Sequence, residues 1–320
     1  GSGPATVAAV GTMVIPSMLE KGYSKSFSLA CVACAGCIGV IIPPSIPMVI
    51  YGVSTSTSIS AMFLAGFAPG ILIGIVLCLV CYFYCKKQGW KGDDRKYTFK
   101  EKMKVVWDSK FALIEPVIIL GGIYGGIFTP TEAAAVAAVY AFICGVFIFR
   151  ELNFGNIYKT IAAACSTNGT TMVIIGCATA FTRVLTIQQI PAMITQAILN
   201  FSTNKVVILI LINILLLIVG CFMDTTPAMM VLSPILLPVA TSLGLSPIHF
   251  GIIMVVNLAI GFITPPLGIN LFVAARIGDV KLEVVCQGII RFIIAMIVCL
   301  LAITFIPSIS EFLPRLSGML

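Results

Sequence analysis

The sequence predicts an all-α integral membrane protein built as an inverted repeat, with re-entrant helical hairpins and proline-broken transmembrane helices. Three observations carry that prediction. Apolar residues fill 59% of the 320 positions and charged residues only 10%, whereas a soluble domain carries roughly 25% charged residues. Apolar stretches recur at lengths that suit a bilayer. Two of them are broken by double prolines at matched places in an internal repeat. The composition alone excludes a soluble two-domain protein, a secreted disulfide scaffold, a disordered chain and a nucleic-acid binder.

A hydrocarbon core about 30 Å thick takes ~20 apolar residues as a helix. Stretches that meet or approach that length run 26–50, 61–85, 111–128, 132–149, 160–182, 205–223, 249–275 and 286–307. Backbone in lipid must satisfy its own hydrogen bonds, so these are helices. Orientation follows from the cations. Nine of nineteen Lys and Arg lie between Lys86 and Lys110, and the loops on the same side bring the total to fifteen. The opposite loops near 51–60, 128–132 and 242–248 hold none. The side of the basic loop is therefore cytoplasmic. Within it, Thr98–Leu113 mixes Lys with Phe99, Met103, Val105, Val106 and Trp107, a pattern that fits a helix lying in the interface.

Offsetting the chain by 222 aligns Pro16, Gly22, Ser24, Ile38, Gly39, Ile41, Pro43 and Pro44 with Pro238, Gly244, Ser246, Ile260, Gly261, Ile263, Pro265 and Pro266. The loop charges run the two copies in opposite directions, and an inverted repeat is a signature of secondary transporters. Two successive prolines must break each span, and broken backbone at membrane depth persists only where it faces a cavity or buried protein. Its freed carbonyls suit a cation, and the amides of the next half-helix suit an anion. Ahead of the second break, Lys205–Met223 and Pro227–Ala240 read as a re-entrant hairpin. The return arm is about 20 Å long and too short to cross. Its tip is Met223-Asp224-Thr225-Thr226-Pro227, with Thr226 expected as the N-cap. Gly1-Ser2-Gly3-Pro4 is the matching tip. Its entering arm would precede residue 1, so the chain is expected to be N-terminally truncated.

These residues resemble the large membrane (permease) subunit of TRAP, or tripartite ATP-independent periplasmic, transporters. The resemblance rests on Gly1–Thr6, Ile15-Pro16 with Gly22-Tyr23, Ile41–Ser45 with Ile50-Tyr51-Gly52, Phe128–Ala133, Met223-Asp224, Pro247–Gly251 and Gly261–Gly268. It implies sodium-coupled uptake of an organic acid, of the C4-dicarboxylate or sialic-acid class, by an elevator motion in the bacterial inner membrane. Its partners would be a small membrane subunit and a periplasmic substrate-binding protein. It also implies two sodium sites, one per repeat, each between a hairpin tip and a broken span. No cofactor is expected beyond Na+ as coupling ion.

The expected sodium-binding set is Ser2, Gly3, Pro43, Ser45, Asp224, Thr225, Thr226, Thr264 and Gly268; Asn270 is a further neutral oxygen near the breaks. Substrate is expected at Arg183, Asp224 and Ser45. Asp224 is an intramembrane carboxylate and so a functional candidate, but it also suits a helix cap. Arg183 offers a bidentate fork to a carboxylate if Asn168-Gly169 breaks its span; otherwise it snorkels. Glu132 reads as half of a capping box, His249 as interfacial, and Cys31, Cys34 and Cys37 as packing residues. The expected layout is a first repeat in 1–60, scaffold helices at 61–85, 111–159 and 286–307, a basic loop at 86–110, and a second-repeat transport unit in 160–275. That unit contains the hairpin 205–240 and the broken helix 249–275. With one His and no phosphate loop, no enzymatic activity is expected. The rival expectations are an inorganic-ion or proton exchanger of related hairpin design and a non-transporting scaffold.

Overall fold

The computed structural model describes residues 1–92, 98–201 and 204–320, and the middle of the basic loop (93–97) lies outside the described residues. Among the described residues every regular element is a helix. In chain order these are α1 (Gly3–Glu20), α2 (Lys25–Ile41), α3 (Ile46–Thr55), α4 (Ile59–Gln88), α5 (Phe99–Asp108), α6 (Lys110–Tyr124), α7 (Pro130–Ile143, prolonged by a π-turn over Cys144–Ile148) and α8 (Phe154–Ile187). They continue as α9 (Ile190–Phe201), α10 (Lys205–Phe222), α11 (Thr225–Ser242), α12 (Pro247–Gly261), α13 (Ile269–Ile277), α14 (Leu282–Phe305) and α15 (Ser308–Leu316). Seven segments among the described residues are long and apolar enough to cross a membrane. The protein is a multi-pass membrane protein.

The repeat is explicit in the backbone. α1 and α11 are both 18 residues long and keep the 222-residue offset at both ends. Gly22 and Gly244 follow them with φ of 80° and 77°, the left-handed region glycine tolerates best. Ser24 and Ser246 then cap α2 and α12, accepting the amides of Phe27 and His249 at 3.4 and 3.1 Å, a cap worth about 1 kcal/mol. Pro43–Pro44 and Pro265–Pro266 are both cis. α2 stops where the next proline forbids helix: Ile42 is extended at ψ 131°, as a residue before proline prefers. The copies exchange halves, since α13 packs on α1 and α2 while α3 packs on α11 and α12. Near the centre, positions one offset apart meet: the Cys37 sulfur lies 3.1 Å from the Ala259 carbonyl.

The chain divides into two compact units. The first, Gly1–Gly92 with Ala178–Leu320, holds both repeats. It also takes in α4 and α14, which the sequence reading had assigned to a scaffold as unbroken spans. Their glycines explain the grouping. Gly66 of α4 sits against the Ile41 carbonyl and Met48, and Gly288 of α14 against Ser26 and Ala30, where any side chain would collide. Those close approaches lock both helices to the broken spans. His249, expected at the interface, is 1% exposed. Its ring bonds the Ser310 hydroxyl at 2.7 Å and the Thr304 carbonyl at 3.3 Å, drawing α15 onto α12.

The second unit, Asp93–Cys177, contains α5 to α7 and the first part of α8. α7 starts at the expected capping box: Glu132 accepts the Thr129 amide at 2.8 Å while Thr129 accepts the Glu132 amide at 3.3 Å. Tyr140 ties α7 to α6 by donating to the Phe111 carbonyl at 2.8 Å. α6 ends at Tyr124, four residues short of the expected span. α8 runs 34 residues without interruption through Asn168-Gly169, so of the two alternatives for Arg183 the one that needed a break there does not hold. Glycine inside a helix costs only about 1 kcal/mol, and with no proline present the ladder continues. Thr167, Thr170 and Thr171 fold their hydroxyls onto carbonyls one turn back. The 160–177 part of the expected transport unit falls in this second unit.

Candidate functional site

The breaks and tips are built from helix ends. α1, α3, α11 and α13 all begin there, and α2, α10 and α12 all end there. Helix starts present unpaired amides and about half a positive charge; helix ends present carbonyls and the opposite partial charge.

The first tip touches the first break: the Ile46 amide donates to the Gly1 carbonyl at 3.4 Å. Ser2 caps α1, accepting the Ala5 amide at 3.5 Å. Gly3 reaches the second break, where a Cβ at this position would stand 3.1 Å from the Asn270 Oδ1 and 3.2 Å from the Phe262 ring. The second tip touches the same break from the other side, as the Leu267 amide donates to the Cys221 carbonyl at 3.2 Å. Gly220 and Gly261 bring α10 and α12 so close that a Cβ on Gly261 would strike the Gly220 carbonyl. First break, first tip, second break and second tip form one contiguous chain of contacts.

The expected oxygens sit along that chain. Ser45 is buried at the start of α3, donating to the Val40 carbonyl at 2.6 Å and accepting the Met48 amide at 3.4 Å. Thr264 donates to the Ile260 carbonyl at 2.8 Å. With the hydroxyl protons spent on carbonyls, oxygen lone pairs remain for an acceptor role. Pro43 and Gly268 are buried at the two breaks, Thr225 is buried at the second tip and Thr226 half-buried beside it. Gly268 starts α13 in a left-handed conformation with no side-chain cap.

Asp224, not Thr226, is the N-cap of α11. Its Oδ1 accepts the Thr225 amide at 2.7 Å, so the return arm begins two residues early and ends two residues late relative to the sequence reading. At 18 residues it is about 27 Å long and meets the length expected of a span. Asp224 itself is exposed, with Oδ2 free of the cap. Arg183 is also exposed, on the unbroken α8. Its neighbour Thr182 donates to the Met230 carbonyl of α11 at 3.5 Å, but Arg183 stands outside the contacts that join tips to breaks.

Asn270 carries more than its place in the sequence suggests. It is 0% exposed. Its Nδ2 donates to the Ala33 carbonyl at 3.0 Å and points to the Cys37 sulfur at 3.6 Å. Its Oδ1 is buried with no hydrogen-bond partner. A buried acceptor left unmade costs about 1–3 kcal/mol, so an orphan beside Gly3, at the junction of tip and break, marks a place for a donor or a cation. Asn257 is also buried with an orphaned Oδ1, but it bonds Asn213 at 2.6 Å, and Asn213 bonds Thr304 at 3.2 Å. That network sits between α10, α12 and α14. A polar amide inside an apolar run was the signal for both.

Comparison with known proteins covers nearly the whole chain. Residues 1–309 match the family model described as tripartite ATP-independent periplasmic transporter, DctM component. The isethionate TRAP transporter permease protein DctMQ of Oleidesulfovibrio alaskensis is 51% identical over 312 residues, covering 98% of this chain and 49% of that protein. The C4-dicarboxylate TRAP transporter large permease protein DctM of Pseudomonas aeruginosa is 40% identical over 319 residues, covering 100% of this chain and 74% of its own length. The sialic acid TRAP transporter large permease protein SiaM of Vibrio cholerae is 36% identical over 316 residues, covering 99% and 74%. The chain thus spans about half of the first relative and about three quarters of the other two.

Proposed function

The chain belongs to the DctM component family of tripartite ATP-independent periplasmic transporters, proteins of the bacterial inner membrane and not enzymes, and on that premise we propose that it bears the substrate and sodium sites of an importer of a small organic anion. The single observation that carries the reading is the meeting of four helix starts and three helix ends along one chain of tip-to-break contacts. The starts favour an anion and the ends a cation.

Sodium is a hard cation that takes neutral and anionic oxygens. The residues present fit it: the orphaned Asn270 Oδ1, the lone pairs of Ser45 and Thr264, the Ser2, Thr225 and Thr226 hydroxyls, the free Asp224 oxygen, and backbone at Gly3, Pro43 and Gly268. When bound, the ion supplies positive charge between the tips and the breaks. The hydroxyls and amides of this chain then hold the tips closed on the substrate cavity. The uncapped start of α13 receives the substrate's acid group, a task the sequence reading gave to Arg183, Asp224 and Ser45. The relatives named for isethionate, C4-dicarboxylate and sialic acid share a sulfonate or carboxylate, and we assign the substrate to that chemical class. The unit containing both repeats is the body that moves through the membrane. A small membrane subunit and a periplasmic binding protein complete the system.

Uptake into proteoliposomes, with the partner proteins present, tests the reading. Imposed sodium gradients are expected to drive accumulation of one such anion, and Asp224→Ala to reduce it at least tenfold. Uptake that proceeds equally in potassium contradicts the coupling.

A further inference from the structure

α5 opens on a capping box, with Glu101 accepting the Thr98 amide at 2.8 Å and Thr98 accepting the Glu101 amide at 3.4 Å. Its start is thereby fixed. From it, Phe99, Met103, Val106 and Trp107 recur at i, i+4, i+7 and i+8, the spacing of one helix face. All four are exposed, Phe99 at 77% and Trp107 at 67%. Lys100 and Lys104 border this face on the Trp107 side and Lys102 borders the other. The next lysine, Lys110, holds its ammonium 4.0 Å over the Trp107 ring and 5.2 Å over Phe111, placing a cation at the level of the indole. α6, which begins at Lys110, is apolar from its first turn.

An apolar face edged by cations on both sides fits an acyl surface carrying phosphates. Long lysines lay their stems along the apolar layer and lift their charges to the headgroups. Four lysines stand against two acids over residues 98–110, and the Glu101 carboxylate is engaged in the capping box. Each lysine near an anionic surface adds to the attraction. We propose that α5 is a docking surface for anionic phospholipid, selecting phosphatidylglycerol-type headgroups over zwitterionic ones through Lys100, Lys102, Lys104 and Lys110. The charge pattern selects lipid over a protein partner, which would have to present acids in two rows astride an apolar ridge.

Trp107 reports on this directly, since the protein has only two tryptophans. The whole protein is reconstituted in vesicles of phosphatidylcholine and phosphatidylglycerol at fixed ratio, with the acyl chains of one or the other brominated. Subtracting the fluorescence of Trp107→Phe isolates the Trp107 signal. Quenching by brominated phosphatidylglycerol is expected to exceed that by brominated phosphatidylcholine about twofold or more. The combined Lys100→Gln, Lys102→Gln and Lys104→Gln variant is expected to equalise the two while staying quenched. Equal quenching in the unaltered protein overturns the proposal, as does a preference that survives the lysine changes. Absence of quenching by either lipid overturns it too, because the face would then be covered by protein.

Discussion

Asn270 and Asp224 show how one side chain can serve structure and ligand at once. The amide of Asn270 stitches the second broken span to α2 through Ala33 and leaves its oxygen without a partner beside the first tip. Asn270→Ala is expected to weaken sodium binding about tenfold, or ~1.4 kcal/mol, in a sodium-dependent thermal-shift titration. Asn257→Ala serves as its control. It leaves the Asn213 Oδ1 without its donor, costs about 1–3 kcal/mol of stability, and is expected to leave sodium affinity unchanged. At Asp224, Ala removes a cap worth about 1 kcal/mol, whereas Asn can restore the cap without the charge. The account expects Asp224→Asn to recover thermal stability but not sodium-driven uptake. The cap was legible in the residue type. Its position was not, because Thr226-Pro227 offers an equally good local start.

The helices divide by how locally their endings are determined. Both breaks and the capping box at Thr129–Glu132 were readable, because proline and paired caps act within a few residues. Asn168-Gly169 left α8 undecided between a break and a continuous span, and it continues, since glycine weakens a helix without ending it. The α10–α12 contact was invisible in sequence for the opposite reason: it joins residues about forty apart through the absence of side chains. Gly261→Ala is expected to abolish folded protein in a detergent size-exclusion assay. Gly74→Ala, where a Cβ meets only the Ile38 tip at 4.0 Å, is expected to leave the protein folded and to stabilise it by up to about 1 kcal/mol. α15 carries a pH-sensitive clasp outside the spans. Burial opposes ionisation of Glu311, but the Ser246 hydroxyl and Arg315, 2.7 Å away, outweigh it and hold the carboxyl below its ordinary value. A depressed acid lends stability above the unfolded value and loses it as pH falls through the folded one. Hydrogen-exchange protection over Ser308–Leu316, taken relative to the intrinsic rate at each pH, is therefore expected to be high at neutral pH. That protection should fall as pH drops below the ordinary glutamate range near about 4.3, and Glu311→Gln should remove that dependence.

Across the whole molecule, the inverted repeat was the most legible feature, because double prolines and glycine turns leave marks that survive in one sequence. What the sequence hid was the packing of α4 and α14 on the first broken span, since an unbroken apolar span carries no sign of which neighbours it meets. The repeat also explains why the two copies complete each other: each broken half packs on the other copy's hairpin arm, so the second break is built against both tips. The claim on which all else depends is that this junction holds sodium. Scintillation-proximity binding of radioactive sodium to the purified protein measures it most directly. The account predicts saturable binding that excess sodium displaces and potassium does not, reduced about tenfold or more in Ser45→Ala and Asn270→Ala. Binding unchanged in both variants, or displaced equally by potassium, would contradict it.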